Sequence, residues 1–430
     1  MSVTRYVRYA LPLVLLLFAA GPVRATDGHF LHGVGAVNSA MGGAGVAANH
    51  DLLGSFYLNP AGILGENGTR ISLGFEMFKP DRTVTSTFGG FTGSTKSESE
   101  FVPIPAFGFA APVSDRVSLG VGLLGIGGFG VNYPADPTNP YLAPRPQGFG
   151  QVASNFQFMK ISPTLAFQVT DALVLGASMN LDWASLSVDP MPVARPAVDP
   201  GSGTAYYSRA TATDGAFGFG FQAGLLYDAT DVLRVGLSYT SPQWFDDFKF
   251  NAVWENPELE NFQSPRRISF GLDVPAVYAG GLAAEFDRVL WTGDVRYLTY
   301  SSTDGFSDSG FNPDGSVRGF GWEDIMVVAT GVQFNVGEAL ALRGGYNFTE
   351  NPITPEQSAV NVPAPAIVQH HATLGLGYRF GALSIDAGYY RAFTNDVTGV
   401  MMTPGGELTV TNEMFEDSFL LTFSFAPSGQ

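Results

Sequence analysis

Fourteen stretches of the chain alternate apolar with polar or small residues at a period of two, and the connections between them run short, long, short, long. The stretches are 69–79, 101–112, 116–131, 155–169, 172–188, 214–228, 232–250, 266–286, 288–302, 324–336, 339–350, 367–380, 383–396 and 414–427. A period of two puts alternate side chains on opposite faces of a strand. Thus Leu173, Leu175, Ala177, Met179 and Leu181 share one face, and Gly176, Ser178, Asn180 and Asp182 the other. The same holds for Leu374, Leu376, Tyr378 and Phe380 against Thr373, Gly375, Gly377 and Arg379. Ser114-Asp115, Thr170-Asp171, Asp287, Gly337-Glu338 and Gly381-Ala382 read as tight turns. The segments 80–100, 132–154, 189–213, 251–265, 303–323, 351–366 and 397–413 read as long loops. Short turns at one rim and long loops at the other are the pattern of a membrane-spanning barrel. A soluble sandwich has no reason to sort its loops this way. The expected fold is all-β: a 14-stranded antiparallel transmembrane β-barrel over 69–430. An even strand count puts both ends at the short-turn, periplasmic rim of a Gram-negative outer membrane.

Composition agrees. Only 14% of residues are charged, against about 25% in ordinary soluble domains. Beyond the N-terminus no stretch approaches the ~18 apolar residues of a spanning helix. An apolar chain without such helices can cross a membrane only as a closed barrel. The absence of Cys excludes disulfides, thiol catalysis and Cys-ligated zinc. A formal charge of −17 excludes nucleic acid as a partner, since that ligand selects basic surfaces.

Residues 1–25 read as a secretory signal, with Arg5 and Arg8 ahead of a short apolar core and a cleavage site at Val23-Arg24-Ala25. Residues 26–68 form a small, Gly-rich segment with little alternation. Within it Met41 to Ile63, ending in Asn59-Pro60-Ala61-Gly62, reads as a plug in the lumen, or hatch, ahead of the barrel. The third stretch is irregular: residues 119–130 contain six glycines, which weakens a ladder and favours a bulge. Two readings stay open, close packing against the plug and a gap in the wall.

Several short motifs, in order along the chain, resemble the FadL/TodX family of outer-membrane transporters. They are Gly28-His-Phe, Met41-Gly-Gly-Ala-Gly, Asn59-Pro-Ala, Tyr239-Thr-Ser-Pro242, Leu342-Arg-Gly-Gly-Tyr346 with Asn351-Pro352, and His371-Ala-Thr-Leu-Gly-Leu-Gly-Tyr-Arg379. The resemblance covers nearly the whole mature chain. It implies a monomeric barrel closed by a hatch, inserted in outer-membrane lipid (or detergent) by the barrel-assembly machinery. It also implies uptake of long-chain fatty acids or aromatic and aliphatic hydrocarbons. Outer loops would capture the ligand, an inner pocket would hold it, and it would leave sideways through the third strand beside Asn59, Pro60 and Ala61. The lateral opening would then involve Gly125, Gly127, Gly128 and Gly130. The chain departs from such barrels in its non-aromatic tail, Ala426-Pro-Ser-Gly-Gln.

Loop aromatics Trp244, Phe245, Phe248, Tyr206 and Tyr207 are candidates for capture, with a membrane-interface belt the competing reading for Trp244 and its neighbours. Asp182, Arg234, Asp294, Arg296, Arg343, Arg379 and Asp386 fall on the lumen face. Arg343 is a possible carboxylate partner, although ion pairing within the wall is the plainer reading. His370 and His371 point to opposite faces and cannot readily share a metal. No metal, cofactor or catalytic residue is expected. A lipid-modifying enzyme is the first alternative, with His371 its only plausible base and no Ser partner evident. A general diffusion porin is the second, and the plug argues against it.

Overall fold

The computed structural model describes residues 27–48, 50–64, 68–99 and 101–426, with backbone only at 212–214. The expected signal and its cleavage site therefore lie outside the described residues, as does the tail beyond Ala426. Fourteen wall strands follow in order: β1 (Arg70–Phe88), β2 (Val102–Ser114), β3 (Val117–Tyr133), β4 (Val152–Thr170), β5 (Leu173–Asp189), β6 (Ala210–Asp228), β7 (Leu233–Thr240), β8 (Val277–Phe286), β9 (Val289–Leu298), β10 (Ile325–Val336), β11 (Leu340–Thr349), β12 (His370–Phe380), β13 (Leu383–Thr403) and β14 (Gly406–Phe425). Each pairs antiparallel with its neighbours, and β14 closes on β1 in one register from Ile71↔Phe425 to Phe88↔Leu408. The molecule is a closed antiparallel barrel. Its outward face carries Leu73, Phe75, Leu374, Leu376, Phe419 and Phe423, all exposed. That face suits a hydrocarbon solvent.

Three places differ from the sequence expectation. The segment 80–100 is mostly strand, since β1 runs on to Phe88 and Phe91–Lys96 folds back to pair with it. The segment 397–413 is a hairpin extension, with β13 running to Thr403 and β14 restarting at Gly406. Val397, Leu408 and Val410 point inward there, so the alternation continues past the point where the loop was expected. The seventh and eighth stretches each break in two. β7 stops at Thr240 and β8 starts at Val277, while Phe248–Val253 and Pro265–Phe270 pair as a separate hairpin. Phe248, Phe250, Ile268 and Phe270 on this hairpin are buried, so it folds inward over the lumen. The breaks fall at Pro242 and Pro275, which have no N–H for the ladder.

The lumen is filled by the hatch. It contains α1 (Gly35–Ala40), α2 (Leu52–Leu58) and a 3₁₀ turn at Pro60–Ile63. The Asp51 side chain caps α2 by accepting from Leu53 N and Gly54 N. All but β4, β9 and β14 present a glycine to the hatch, among them Gly176, Gly224, Gly236, Gly331 and Gly345. A Cβ at any of these five would overlap hatch atoms. At Gly120 and Gly122 it would lie 2.8 Å from the Phe56 ring. These glycines are needed for close approach, and they form a girdle around the plug.

A side chain on the girdle displaces the hatch, because overpacking costs about 1–3 kcal/mol even where neighbours can shift. Gly345→Val and Gly176→Leu should leave a folded barrel on heat-modifiability gels but expose the hatch to protease. They should also raise planar-bilayer conductance above that of the parent. A parent-like conductance in both variants would show that the girdle does not seat the plug.

Candidate functional site

Polar wall side chains hold the hatch by its backbone. Asp294 Oδ2 accepts from Gly45 N and Val46 N at 2.6 and 3.0 Å. Thr373 Oγ1 accepts from Gly42 N and donates to Ala40 O. Thr422 Oγ1 accepts from Ala36 N. The buried Arg296–Asp27 ion pair, at 3.1 Å, ties down the start of the arm, and Arg296 also donates to His32 O. In a lumen without bulk water these groups have no substitute partners.

Asn59, Pro60 and Ala61 dock on β5 and β6, and the turn they open also lies along β4 and touches the glycine-rich β3 through Ile63, beside Gly120. Asn59 Nδ2 donates to Val46 O at 2.7 Å and to Leu225 O on β6 at 3.0 Å, while its Oδ1 accepts from Ala61 N at 3.1 Å. Gly176 and Gly224 make the room. Most of the contact with β3 expected of this tip is made by two other parts of the hatch. Phe56 of α2 packs on Gly120 and Gly122, and the arm His29–Leu31 meets the upper half of β3.

That upper half is where the wall is interrupted. The β2–β3 ladder ends at Ala106↔Leu124. β3 then bulges between Gly125 and Gly127, with Ile126 as the extra residue. β2 carries Pro103 and Pro105 along this edge. The arm supplies the missing partner: Leu31 N donates to Ile126 O (3.0 Å), and Gly128 N donates to His29 O (2.9 Å). Gly127 faces the arm, since a Cβ there would meet His29 O at 2.6 Å. Gly125 faces across the break, 2.7 Å from Ile104 Cγ2 by the same measure. Gly130 faces β4 at Ser154 O.

Beside the bulge lies a cavity of about 40 Å³. Phe30, Leu58, Ile126, Phe158, Val274 and Leu298 form its apolar lining, and Lys160 and Arg296 are its cations. Lys160 on β4 is buried beside Asp182 of β5, its register partner. Sequence reasoning passed over Lys160, although it is a lone cation on an inward face that otherwise reads Phe156, Phe158 and Ser162. Arg343 sits elsewhere, near the short-turn rim. Its Nη1 donates to Asp386 Oδ1 and its Nε to Gln333 Oε1, both at 2.7 Å, so its charge is already matched. Arg234 pairs with Asp228 at the same rim, and Arg379 is exposed there. His371 faces inward and His370 outward, against Tyr346.

The loop candidates do not form one patch. Trp244 packs on Phe219 on the outer wall, with ring centres 5.5 Å apart. Phe245 packs on Phe158, and Phe248 is on the inward hairpin. Tyr206 and Tyr207 lie in the third long loop, where Tyr207 donates to Gly315 O. A wholly apolar groove sits among the loops instead, lined by Leu186, Val188, Met191, Phe270, Val317 and Phe320. An aromatic column joins groove to cavity. Phe320 contacts Phe306 and Phe129, Phe129 contacts Phe156, and His29 stacks between Phe306 and Phe30. Residues 303–323, a long loop by sequence, supply Phe306, Phe320 and Trp322 to this column.

The sequence profile of the outer membrane protein transport protein family (OMPP1/FadL/TodX) matches residues 25–416. The chain belongs to this family. It is an outer-membrane transport protein, not an enzyme. A long-chain fatty acid transport protein of Escherichia coli is 22% identical over 389 residues, covering 82% of this chain and 84% of that one. Outer membrane protein P1 of Haemophilus influenzae is 23% identical over 357 residues, covering 75% and 73%. Among solved structures, a Pseudomonas aeruginosa FadL homologue superposes with a TM-score of 0.75 at 18% identity, over 93% of this chain and 99% of that one. The toluene transporter TodX of Pseudomonas putida gives 0.69 at 19% identity, over 93% and 100%. At these identities the structural likeness establishes the shared fold.

Burial in the hatch shifts its titrating groups. It lowers His29 from the ordinary 6.5 to about 3, and His32 and His50 to about 4. It raises the Asp51 carboxyl from 3.8 to about 6. The unfolded hatch takes up protons on its imidazoles below pH 6.5 and the folded hatch does not. Their contribution to stability is therefore full above that pH and falls as the pH drops toward 4. Asp51 acts oppositely, contributing fully below its unfolded value and losing this as the pH rises through 6. Burial raises the Asp27 carboxyl as well, and three imidazoles against two carboxyls predict a hatch that protease reaches faster at pH 4.5 than at pH 7. His29→Leu should lessen the difference. Equal cleavage rates at the two pH values would count against acid release.

Proposed function

We propose that this protein carries hydrophobic compounds, long-chain fatty acids or hydrocarbons, across the outer membrane. The loop groove takes the ligand, the aromatic column passes it inward, the cavity holds it, and the break between β2 and β3 releases it sideways. The observation that carries the reading is the cavity ending at Ile126, where the β2–β3 ladder has stopped and only the hatch arm covers the edge. A hatch bonded to the wall all round leaves no straight path for solute, which favours this reading over a general porin. We further infer a monomer, placed by the barrel-assembly machinery, with its short turns in the periplasm.

A volume of 40 Å³ suits water rather than a hydrocarbon. A ligand must therefore displace something, and Phe30 of the arm is the group that both lines the cavity and covers the break. Moving Phe30 would enlarge the pocket and uncover the β3 edge in one step, coupling occupancy to release. Each CH₂ that leaves water contributes about 0.8 kcal/mol, enough to offset the lost arm contacts over a long chain. Lys160 is the group placed to meet a carboxylate in the pocket, a role that the paired Arg343 is badly placed to fill.

A disulfide across the break tests lateral release, since the chain has no other thiol. In cells lacking a transporter of their own, Ile104→Cys/Gly125→Cys should take up naphthalene and palmitate slowly when oxidised and at the parent rate after reduction. Equal rates in both states, with the cross-link verified by mass spectrometry, would exclude this route. Lys160→Met separates ligand classes. Loss of a charge-assisted bond worth about 1.5–3 kcal/mol should weaken palmitate binding about tenfold or more and leave naphthalene within about twofold. Equal losses for both ligands would remove Lys160 as a headgroup partner.

A further inference from the structure

The cavity touches a second discontinuity in the wall, at the seam between β7 and β8. The ladder there runs from Leu233↔Ala284 to Thr240↔Val277. It resumes only in the reciprocal pair Gln243–Val274, with N–O distances of 3.0 and 3.1 Å. Between these points lie Ser241-Pro242 on one strand and Pro275-Ala276 on the other. Neither proline has an N–H to give. Ser241 turns away from the seam, donating its N–H to Phe221 O on β6 (2.9 Å) and its hydroxyl to Pro242 O (2.8 Å). Ala276 O accepts from Thr299 N, on the β9 side, at 3.2 Å. Ser241 and Ala276 sit at a non-hydrogen-bonded position, where antiparallel strands bond to their other neighbours in any case. What the seam lacks is the next pair, where Pro242 faces Pro275 and neither has an N–H to give. Beyond the Gln243–Val274 pair Trp244 and Phe245 stay in the wall, paired with Phe219 and Gly218 of β6, and the inward hairpin begins at Phe248.

The seam has an inside and an outside. Thr240, Gln243, Val274, Pro275 and Val277 all line the cavity. On the outer face Tyr239 and Tyr278 stack across the seam at 4.9 Å, with Phe221 beside Tyr239 at 5.8 Å. Two weakly joined strands, an apolar cavity behind them and aromatic rings in front make a passage that one reciprocal pair of backbone bonds keeps shut. Barrel walls in lipid ordinarily leave no backbone group unpaired. A pair of prolines facing each other avoids stranded N–H groups at a place where the ladder is absent. The Tyr239-Thr-Ser-Pro242 motif thereby acquires a physical role.

We propose that the Pro242/Pro275 seam is a second lateral portal, through which the cavity exchanges uncharged apolar solutes with the surrounding lipid. The proposal rests on the reading of this cavity as the ligand pocket. Its test follows access to the cavity directly. Val277→Cys places the chain's only thiol on the cavity wall beside the seam. In proteoliposomes, N-phenylmaleimide dissolved in the bilayer should label this thiol. Adding Pro242→Thr and Pro275→Thr restores both ladder donors and should slow labelling at least threefold. Either single proline replacement should slow it less, which keeps the test open if the double replacement does not fold. Heat-modifiability confirms the barrel, and full labelling after denaturation confirms the thiol. Labelling at an unchanged rate in the folded proline variants overturns the portal. Slowed labelling in a protein that gives cells no uptake of naphthalene or palmitate would sink the transport reading and leave the portal standing.

Discussion

The structure depends on packing backbone against backbone inside a closed wall. A barrel of fourteen strands has a lumen too wide for its own side chains to fill, so the hatch fills it. The hatch in turn brings peptide groups that must be bonded where there is no bulk water. The wall answers with two kinds of residue. Glycines such as Gly176, Gly224 and Gly345 remove side chains where the plug comes closest. Asp294, Thr373, Thr422 and Arg296 supply donors and acceptors where its peptide groups end. The two act together, since Asp294 can reach Gly45 N and Val46 N only because Gly236 and Gly281 let that segment lie against the wall.

The proposed functional parts are the places where this complementarity lapses. At β3 the wall loses its neighbour and the arm stands in for a strand. At β7–β8 the wall keeps its neighbour but loses its bonds. The cavity lies between, with Lys160 as a charge that the hatch does not use. Arg343, by contrast, spends its charge on Asp386 at the far rim, where it steadies the wall beneath the plug.

The barrel was legible because a period of two is a local property and loop length can be counted directly. The strand number and the sorting of turns follow from these alone. The plug was legible for a related reason, as a stretch lacking that period. Its docking was not. Alternation assigns Gly176 and Gly224 to the inner face but does not say what they meet across the lumen, and Asn59 bonds Leu225 more than 160 residues away. The glycine-rich look of β3 drew the Asn59-Pro60-Ala61 tip toward it, yet β3 is only part of a girdle that nearly every strand shares. Lys160 went unnoticed because its neighbours in sequence, unlike its neighbours in space, give no hint of a pocket. Sequence proximity misleads in the same way for the loop aromatics: Trp244 and Phe248 are four positions apart but lie outside and inside the wall.

The end of the β2–β3 ladder at Ala106↔Leu124 bears on how such a protein sorts solutes. A round pore limits molecules by diameter, so mass is a fair guide to passage. A slit bounded by two strands limits them by thickness alone. Flat rings and unbranched chains satisfy that limit whatever their length, whereas a compact branched or globular molecule of equal mass does not. Under the proposed lateral route, selectivity is therefore a matter of shape before it is a matter of size.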